Sequence, residues 1–354
     1  MTAATAPDST APARQWLPGL VVLAAIWGSS FLFIKVAVAE MHPTYLTLGR
    51  VGSGAVALLI VLLITRDRLP RSKRVWLHLN IMSAFGVVLP FTLFGYGEER
   101  VSSVLAGIWN AATPLIVLPM ALLVFRTEQP AVRKVAGVVV GFLGVVVVLG
   151  VWEGVGGAQL TGQLMCFGAA ACYGVAIPYQ KKFLAGLPLS GLSLTAGQLL
   201  VATAQIAIVA PLVGGAPPAL GDLSWKAIGS VLAIGVLGTG LAFVINIRNV
   251  RLAGASTASM VTYLIPLFAV VIGMVVLDEG LAWYQPVGAL IVLVGVALSQ
   301  GVLRRRRPDA APVPGPVPGP ASPGLRSAGS AATGATREDG ASLGPGARAS
   351  GASA

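Results

Sequence analysis

Arg50 is the residue with the most evident chemistry, because it is a cation inside a long apolar run that begins at Pro43. In a helix that rises about 1.5 Å per residue, Arg50 lies about 10 Å into a hydrocarbon layer about 30 Å thick. A guanidinium left in hydrocarbon costs roughly 2.5–3.5 kcal/mol, so buried cations mark substrate paths or pair with carboxylates. The alternative is that the long side chain reaches back to the membrane surface. Arg50 is therefore our first candidate for binding the carboxylate of a small molecule.

Three further charged residues lie near the ends of apolar runs. Lys35 is close to the end of its run, where reaching back to the surface is the simpler interpretation. Glu98 and Glu99 end the third run on the same side; they could pair with Arg50 or Lys35, and we interpret them as solvated. Without a deep carboxylate, the sequence favours zwitterionic or anionic substrates over cationic drugs.

Aromatic and uncharged polar residues within the apolar runs complete the candidate cavity. Aromatic side chains near the ends of spans commonly form an interfacial belt, whereas deeper ones can line a cavity or pack. Polar side chains in spans bind substrates or join helix pairs. The candidate cavity residues are Trp27, Ser30, Lys35, Arg50, Tyr96, Trp109, Asn110, Tyr173, Gln198, Asn246, Ser259 and Tyr263.

No pattern in the sequence indicates an enzyme. The segment GASLG at residues 340–344 fits a nucleophile elbow, but no strand or helix pattern surrounds it, so we interpret it as a chance match. Walker A, HExxH and paired-cysteine metal motifs are absent from the sequence. We interpret Cys166 and Cys172 as packing residues. The sequence therefore predicts no catalytic residue, no metal and no cofactor.

The composition indicates that lipid surrounds the elements that carry these residues. Hydrophobic residues make up 55% of the chain and charged residues only 10%, whereas soluble domains carry about 25% charged residues. The net charge of +11 does not indicate a nucleic-acid partner, because the cations lie in short loops and the tail. With about 20 apolar residues per span, the sequence predicts ten transmembrane helices, at residues 17–38, 43–64, 75–97, 101–124, 132–150, 160–180, 190–213, 224–246, 252–276 and 283–302.

Lysine and arginine are concentrated in alternate loops, most densely at residues 66–74. The positive-inside rule then predicts a multi-pass protein of the plasma membrane with both termini in the cytoplasm. The terminal segments, residues 1–16 and 304–354, are rich in small residues and proline and lack apolar periodicity. We expect both segments to be disordered.

Residues 114–145 and 266–296 repeat one pattern. Each has an apolar run that begins with proline, a glutamate (Glu128 or Glu279), and glycines nine and sixteen residues after that glutamate. Each half has five spans, an odd number, so the second half enters the membrane from the opposite side. The predicted fold class is an all-α integral membrane protein with ten transmembrane helices in two inverted five-helix repeats, residues 17–150 and 160–303.

Weaker matches between the halves support the repeat: Gly28 and Lys35 correspond to Gly174 and Lys181, and Gly86 corresponds to Gly235. Inverted halves can exchange conformations around a site near the bilayer midplane, which is the arrangement of a transporter.

Several residues of the repeated segments are expected to have structural roles. Pro114 and Pro266 recur in both halves, and we interpret them as hinges. The two repeated glutamates are expected to cap the helices that follow them. Gly137 and Gly141 form a GxxxG face, which serves packing within the bundle or, as the alternative, a homodimer.

The run WGSSFLFIKVAVAEMHPTYLTLGR at residues 27–50, together with the two proline–glutamate–glycine segments, resembles the EamA-type branch of the drug/metabolite transporter superfamily. The resemblance covers roughly residues 17–303 and implies a central cavity lined mainly by spans 1–4 and 6–9. It also implies small metabolites as substrates, often amino acids for export. The second half departs from the first, since Trp27 aligns with Tyr173 and Gln198 lies near the place where Arg50 would recur.

The sequence thus predicts a secondary transporter that exports a small metabolite, such as an amino acid, by alternating access. Its partners are a small-molecule substrate and the lipid bilayer. The alternatives are a multidrug exporter of apolar or cationic compounds and a membrane scaffold without transport.

Overall fold

Each apolar run of the sequence folds as a helix in the computed structural model, which describes residues 12–150, 152, 157–258 and 260–300. All of these residues belong to one structural unit, and its regular structure is helical throughout the described ranges. The helices are α1 (Ala13–Val38), α2 (Pro43–Ile64), α3 (Lys73–Ser83), α4 (Leu89–Glu98), α5 (Ser103–Ala111), α6 (Thr113–Pro119), α7 (Val132–Leu149), α8 (Gly157–Phe183), α9 (Gly191–Gly214), α10 (Trp225–Leu232), α11 (Ala242–Ala258), α12 (Val261–Val276) and α13 (Tyr284–Gln300).

Short polar residues start several of these helices. Ser102, Ser190 and Ser224 lie at N-caps, and each side chain accepts a hydrogen bond from a backbone N–H of the first turn. Such a cap satisfies one of the N–H groups that have no partner within the helix. α2 instead begins with Pro43 behind His42, and proline is well suited to the first helical position.

Eight continuous helical stretches among the described residues are long and apolar enough to cross a membrane, and two shorter apolar helices, Val261–Val276 and Tyr284–Ser299, follow them. The second predicted span coincides with α2, and the first helix begins four residues before its predicted start, at Ala13.

The predicted start of the ninth span, at residue 252, is wrong. The helix of the eighth span continues through Arg248 and Arg251 to Gly254, where φ is 80°, and α12 begins only at Val261. No proline or glycine lies between Ala242, where α11 begins, and Gly254, so nothing breaks α11 earlier. Ser259 lies outside the described residues.

Three π-helical segments interrupt the long helices: π1 (Ala84–Val88), π2 (Met120–Val124) and π3 (Ala233–Leu241). Gly86 lies in π1 and its counterpart Gly235 in π3. A Cβ added to Gly86 would lie 3.1 Å from Nε2 of Gln198, and one added to Gly235 would lie 2.7 Å from the carbonyl oxygen of Arg50. The matched glycines therefore bring the π segments against α9 and α2, at the two positions that correspond in the sequence repeat.

The helices of the two repeats pack in corresponding pairs. α1 packs on α12, and α8, which begins the second repeat, packs on α5 and α6. α2 packs on α9, and α7 packs on α13 along most of its length. The core therefore lies between the repeats, and any site in it is built from both.

The glycine face of α7 serves packing within the chain. A Cβ at Gly137 would lie 2.6 Å from the carbonyl oxygen of Gly295, and one at Gly144 would lie 2.6 Å from the backbone N of Val292. A Cβ added to Gly141 would lie 2.6 Å from Cδ1 of Leu115. Small residues at these positions let the two helix backbones approach closely, so α13 and α6 occupy this face.

We expect Gly144→Ala to destabilise the protein by about 1–3 kcal/mol, because the added methyl group meets backbone atoms of α13 that have no rotamer to change. The measurement is thermal unfolding of the purified protein in detergent. Gly229→Ala is the matched control: Gly229 also lies in a helix, but a Cβ there meets nothing within 4 Å, and alanine favours the helix over glycine. Equal melting temperatures for the two variants would contradict the tight α7–α13 contact.

Candidate functional site

Arg50 is held inside the helix bundle. Its side chain is 7% exposed, its Nε donates a hydrogen bond to Oγ1 of Thr239 at 3.2 Å, and its Cζ lies 3.6 Å from the centroid of the Phe91 ring. Thr239 belongs to π3 of the second repeat, so the guanidinium joins the two repeats. Among the described residues, no carboxylate lies within ion-pair distance of Arg50. The side chain therefore lies inside the bundle, and Nε is its one hydrogen-bond donor with a partner among the described residues.

One face of α1 continues the site from Arg50 toward the end of α4. Trp27, Phe31 and Lys35 follow one another at intervals of four residues, which places them on one side of the helix. Trp27 Nε1 donates to the carbonyl oxygen of Gly238 at 3.1 Å, and the Phe31 ring lies 5.6 Å from that of Phe94. We name Trp27, Phe31, Phe91, Phe94 and Tyr173 the aromatic stripe.

Lys35 is turned inward at the end of this face. Its Nζ donates to the carbonyl oxygens of Glu98, at 2.5 Å, and Val101, at 2.9 Å. Lys35 is partly buried and binds the chain reversal after α4, which offers it backbone acceptors that the sequence does not show. Ser30, which precedes Lys35 in α1, donates a hydrogen bond from its hydroxyl to the carbonyl oxygen of Ile26 at 3.0 Å.

Glu98 is buried, which corrects our expectation that it is solvated. Its side chain is 0% exposed, and neither carboxylate oxygen has a hydrogen-bond partner among the described residues. Glu99 is partly exposed and forms an ion pair with Arg100 at 2.7 Å. Glu98 is buried because α8 approaches closely: a Cβ at Gly97 would lie 2.5 Å from Sγ of Cys166. Glycine at position 97 lets α8 cover the carboxylate beside it.

Aromatic residues of α8, in the second half, contact aromatic residues of the first half. The Tyr173 ring lies 6.4 Å from Phe94, and Phe167 of the same helix meets Trp109 edge to face at 5.7 Å. Trp109 is only 2% exposed. Trp109 Nε1 and the Tyr263 hydroxyl are buried without a hydrogen-bond partner in the described part of the chain, and both residues belong to the apolar cluster that holds Trp27 and Tyr173.

The remaining candidate residues lie apart from Arg50. The Tyr96 hydroxyl is 3.2 Å from Nε2 of His42, near the end of α2. Gln198 Nε2 donates to the carbonyl oxygen of Met82 at 3.1 Å, so this amide joins two helices. Asn110 and Asn246 are half-buried.

The two hinge candidates differ in structure. Pro114 lies two residues after Ala112, the single residue between α5 (Ser103–Ala111) and α6 (Thr113–Pro119), and Ala112 keeps helical dihedral angles. Pro266 lies inside α12, which continues across it. The repeated proline thus coincides with a one-residue interruption of the helix in the first half only, within a stretch that is helical as a whole.

The repeated glutamates do not cap the helices that follow them. Glu279 accepts hydrogen bonds from the backbone N of Ser103 at 2.9 Å and of Val104 at 3.1 Å, and from the Ser103 hydroxyl at 2.8 Å. It therefore caps α5, where a carboxylate also interacts favourably with the helix dipole. The partner is a helix of the other repeat, which sequence distance could not show.

Glu128 forms ion pairs with two lysines. Its carboxylate oxygens lie 2.5 Å from Nζ of Lys181 and 2.9 Å from Nζ of Lys134. The hydrogen bond from Lys181, followed by that from Lys134, lowers the pKa of the Glu128 carboxyl below its ordinary value. Glu128 therefore stays ionised at neutral pH and links α8 of the second repeat to the turn before α7.

These elements define a multi-pass membrane protein with a buried cation and an aromatic stripe between its two repeats. Residues 15–150 and residues 160–300 each match the EamA-like transporter family, so the chain belongs to that family. It is thereby a membrane transporter of the drug/metabolite transporter superfamily.

Relatives and solved structures agree with this assignment. The chain is 24% identical over 290 residues to the "Uncharacterized transporter YoaV" of Bacillus subtilis (strain 168), with 82% of this chain and 98% of the relative covered. It is 28% identical over 287 residues to the "Uncharacterized transporter YvbV" of the same organism, with 79% and 89% covered. A solved crystal structure, 19% identical, shares the fold with a TM-score of 0.57 and covers 82% of this chain and 97% of its own.

Proposed function

We propose that the protein is a secondary transporter for small metabolites that carry a carboxylate, such as amino acids. The observation that carries this proposal is Arg50, a buried guanidinium between the repeats with no carboxylate partner among the described residues. A guanidinium binds carboxylates with paired, charge-assisted hydrogen bonds, and a bound substrate would balance its charge. The aromatic stripe beside it suits the apolar part of such a substrate.

The mechanism we propose is alternating access between two inverted five-helix repeats with ten transmembrane helices in all. The corresponding helix pairs and the matched π segments support this arrangement. Inverted repeats place the substrate between the halves and expose it to one side at a time as the halves exchange conformations. The protein would lie in the plasma membrane with both termini in the cytoplasm, and efflux of a surplus metabolite is the direction that we propose.

A multidrug exporter remains the second candidate because of one observation. The buried carboxylate of Glu98 removes our argument that no deep carboxylate is present to bind a cationic drug. Arg50 opposes this alternative, because an uncompensated cation between the repeats repels cationic compounds.

The proposal predicts saturable exchange of at least one carboxylate substrate. The purified protein would be reconstituted in liposomes loaded with one unlabelled amino acid or short carboxylic acid, and entry of the same labelled compound would be followed against empty liposomes. We expect exchange for a member of this panel and none for cationic dyes. Dye transport without carboxylate exchange would favour the multidrug exporter, and no flux of any compound would contradict both.

A further inference from the structure

We propose that Glu98 is a proton-binding site and that its proton crosses the membrane together with the substrate. This inference rests on the proposed function and adds the coupling ion to it. At the end of α4 the Glu98 carboxylate is fully buried, yet neither of its oxygens has a hydrogen-bond donor among the described residues. Buried polar groups in proteins are nearly always paired, so an unpaired one calls for a ligand or a function.

The charged and titratable groups around Glu98 do not satisfy its oxygens. Lys35 approaches from α1, Arg50 from α2, Glu279 from the turn after α12 and Cys166 from α8. Lys35 directs its ammonium to two backbone carbonyls rather than to the carboxylate. Glu279 is held by the N-terminus of α5. The lysine therefore secures the backbone around Glu98 and leaves its side chain unpaired.

A proton is the ligand that this arrangement suits. An ionised carboxylate is costly in apolar surroundings without donors, and the neutral acid avoids that cost. A metal cation would need several further oxygen ligands, and no group of three acidic, histidine or cysteine side chains that could hold a metal ion occurs among the described residues. Uptake and release of the proton require that water reach the carboxyl in each of the two open states.

The position of Glu98 connects this proton to substrate binding. Phe91, which stacks on Arg50, and Glu98 lie in the same helix. Their spacing of seven residues corresponds to about 10 Å along one face. At that separation two charges in a protein change each other's equilibrium by about tenfold.

The sign of this interaction predicts cotransport, in which an internal surplus of the substrate drives both the substrate and the proton outward. A substrate carboxylate at Arg50 removes the positive charge that favours ionised Glu98, so substrate binding promotes protonation. Linkage is reciprocal, and protonated Glu98 promotes binding of the anion at Arg50. In each cycle a hydronium ion on one side gives its proton to the carboxylate, so one O–H bond breaks as another forms, and on the other side the carboxyl returns the proton to water in the reverse step.

The test uses the full-length protein in liposomes, with a substrate that the wild-type protein exchanges. An imposed pH gradient, acid outside, should make the wild-type protein accumulate labelled substrate several-fold above equilibrium. Glu98→Gln, which cannot change its protonation, should lose this accumulation, and its remaining exchange at equal pH should no longer depend on pH. Glu99→Gln is the matched control, because Glu99 lies beside Glu98 but is paired with Arg100 outside the bundle; it should behave as the wild type.

Accumulation by Glu98→Gln equal to that of the wild type would overturn the proposal, as would accumulation driven by a sodium gradient alone. A wild-type protein that exchanges no substrate would instead refute the proposed function. Infrared spectroscopy then decides the proton site without any substrate. We expect a protonated-carboxyl band in the wild type that shifts in Glu98→Asp and is missing in Glu98→Gln. No such difference across the accessible pH range would overturn the proposal even if Glu98→Gln folds poorly.

Discussion

Arg50→Ala is expected to reduce substrate exchange by about 100-fold. Removing one member of a buried, hydrogen-bonded charge pair costs about 2–5 kcal/mol, and each 1.4 kcal/mol is a factor of about ten. The loss should appear mainly as weaker substrate binding, because the guanidinium contacts the substrate in our proposal and holds no carboxylate of the protein. Initial rates over a range of substrate concentrations in liposomes measure both the affinity and the maximal rate.

Two further variants separate the ligand role of Arg50 from its charge and from general effects of losing an arginine. Arg50→Lys keeps the charge but loses the planar fork and the stacking on Phe91, so we expect an intermediate loss of about tenfold. Arg100→Ala removes an arginine that pairs with Glu99 near the surface and should leave exchange within about twofold, as is usual for exposed ion pairs. A normal substrate affinity in Arg50→Ala would exclude the guanidinium as the substrate ligand.

The fold could be predicted from the sequence to a large extent, because length and hydropathy are strong signals in lipid. α2 occupies residues Pro43–Ile64, as predicted, and the burial of Arg50 followed from its depth in that run. The repeat also located contacts: Gly86 and Gly235, which were matched from sequence alone, both lie in π segments that pack on the opposite repeat.

The contacts between the repeats could not be predicted, because they join residues that lie far apart in the chain. Glu98 is buried by Cys166 and its helix, and Glu279 caps a helix that begins at Ser103. A glutamate at the end of an apolar run is usually solvated, and only the small residue at Gly97 hints at a close neighbour. Sequence patterns therefore located the helices, with errors at some of their ends, and missed which polar groups the packing encloses.

The two ends of the bundle differ in a way that alternating access requires. Lys181 and its counterpart Lys35 lie at opposite ends, as do Glu128 and Glu279. At one end Lys181 and Glu128 form an ion pair between the repeats. At the other end the matching lysine and glutamate both bind residues 98–104, but not each other. The alternating access that we propose predicts a second conformation in which the Lys35–Glu279 pair forms and the Lys181–Glu128 pair opens.

Cross-linking the Lys181–Glu128 pair should therefore abolish transport completely. In a background with Cys166→Ala and Cys172→Ala, we would introduce Glu128→Cys with Lys181→Cys and join the two thiols with a short bifunctional methanethiosulfonate reagent. The cross-link holds the two repeats together at one end and prevents the exchange of conformations that moves the substrate. Exchange in liposomes should stop on cross-linking and return when a reductant cleaves the new disulfides.

A cross-link from the same position to another lysine provides the matched control, because Glu128 has a second lysine partner within its own repeat. Lys134 lies 2.9 Å from the Glu128 carboxylate, at the start of α7 in the first repeat. Glu128→Cys with Lys134→Cys, treated with the same reagent, should be cross-linked to a similar extent and still exchange substrate at the rate of the untreated variant. If both cross-links stop transport, the turn itself must move, whereas if neither does, the repeats do not separate at this end. Only arrest by the cross-link between the repeats, without arrest by the one within a repeat, supports motion of one half against the other.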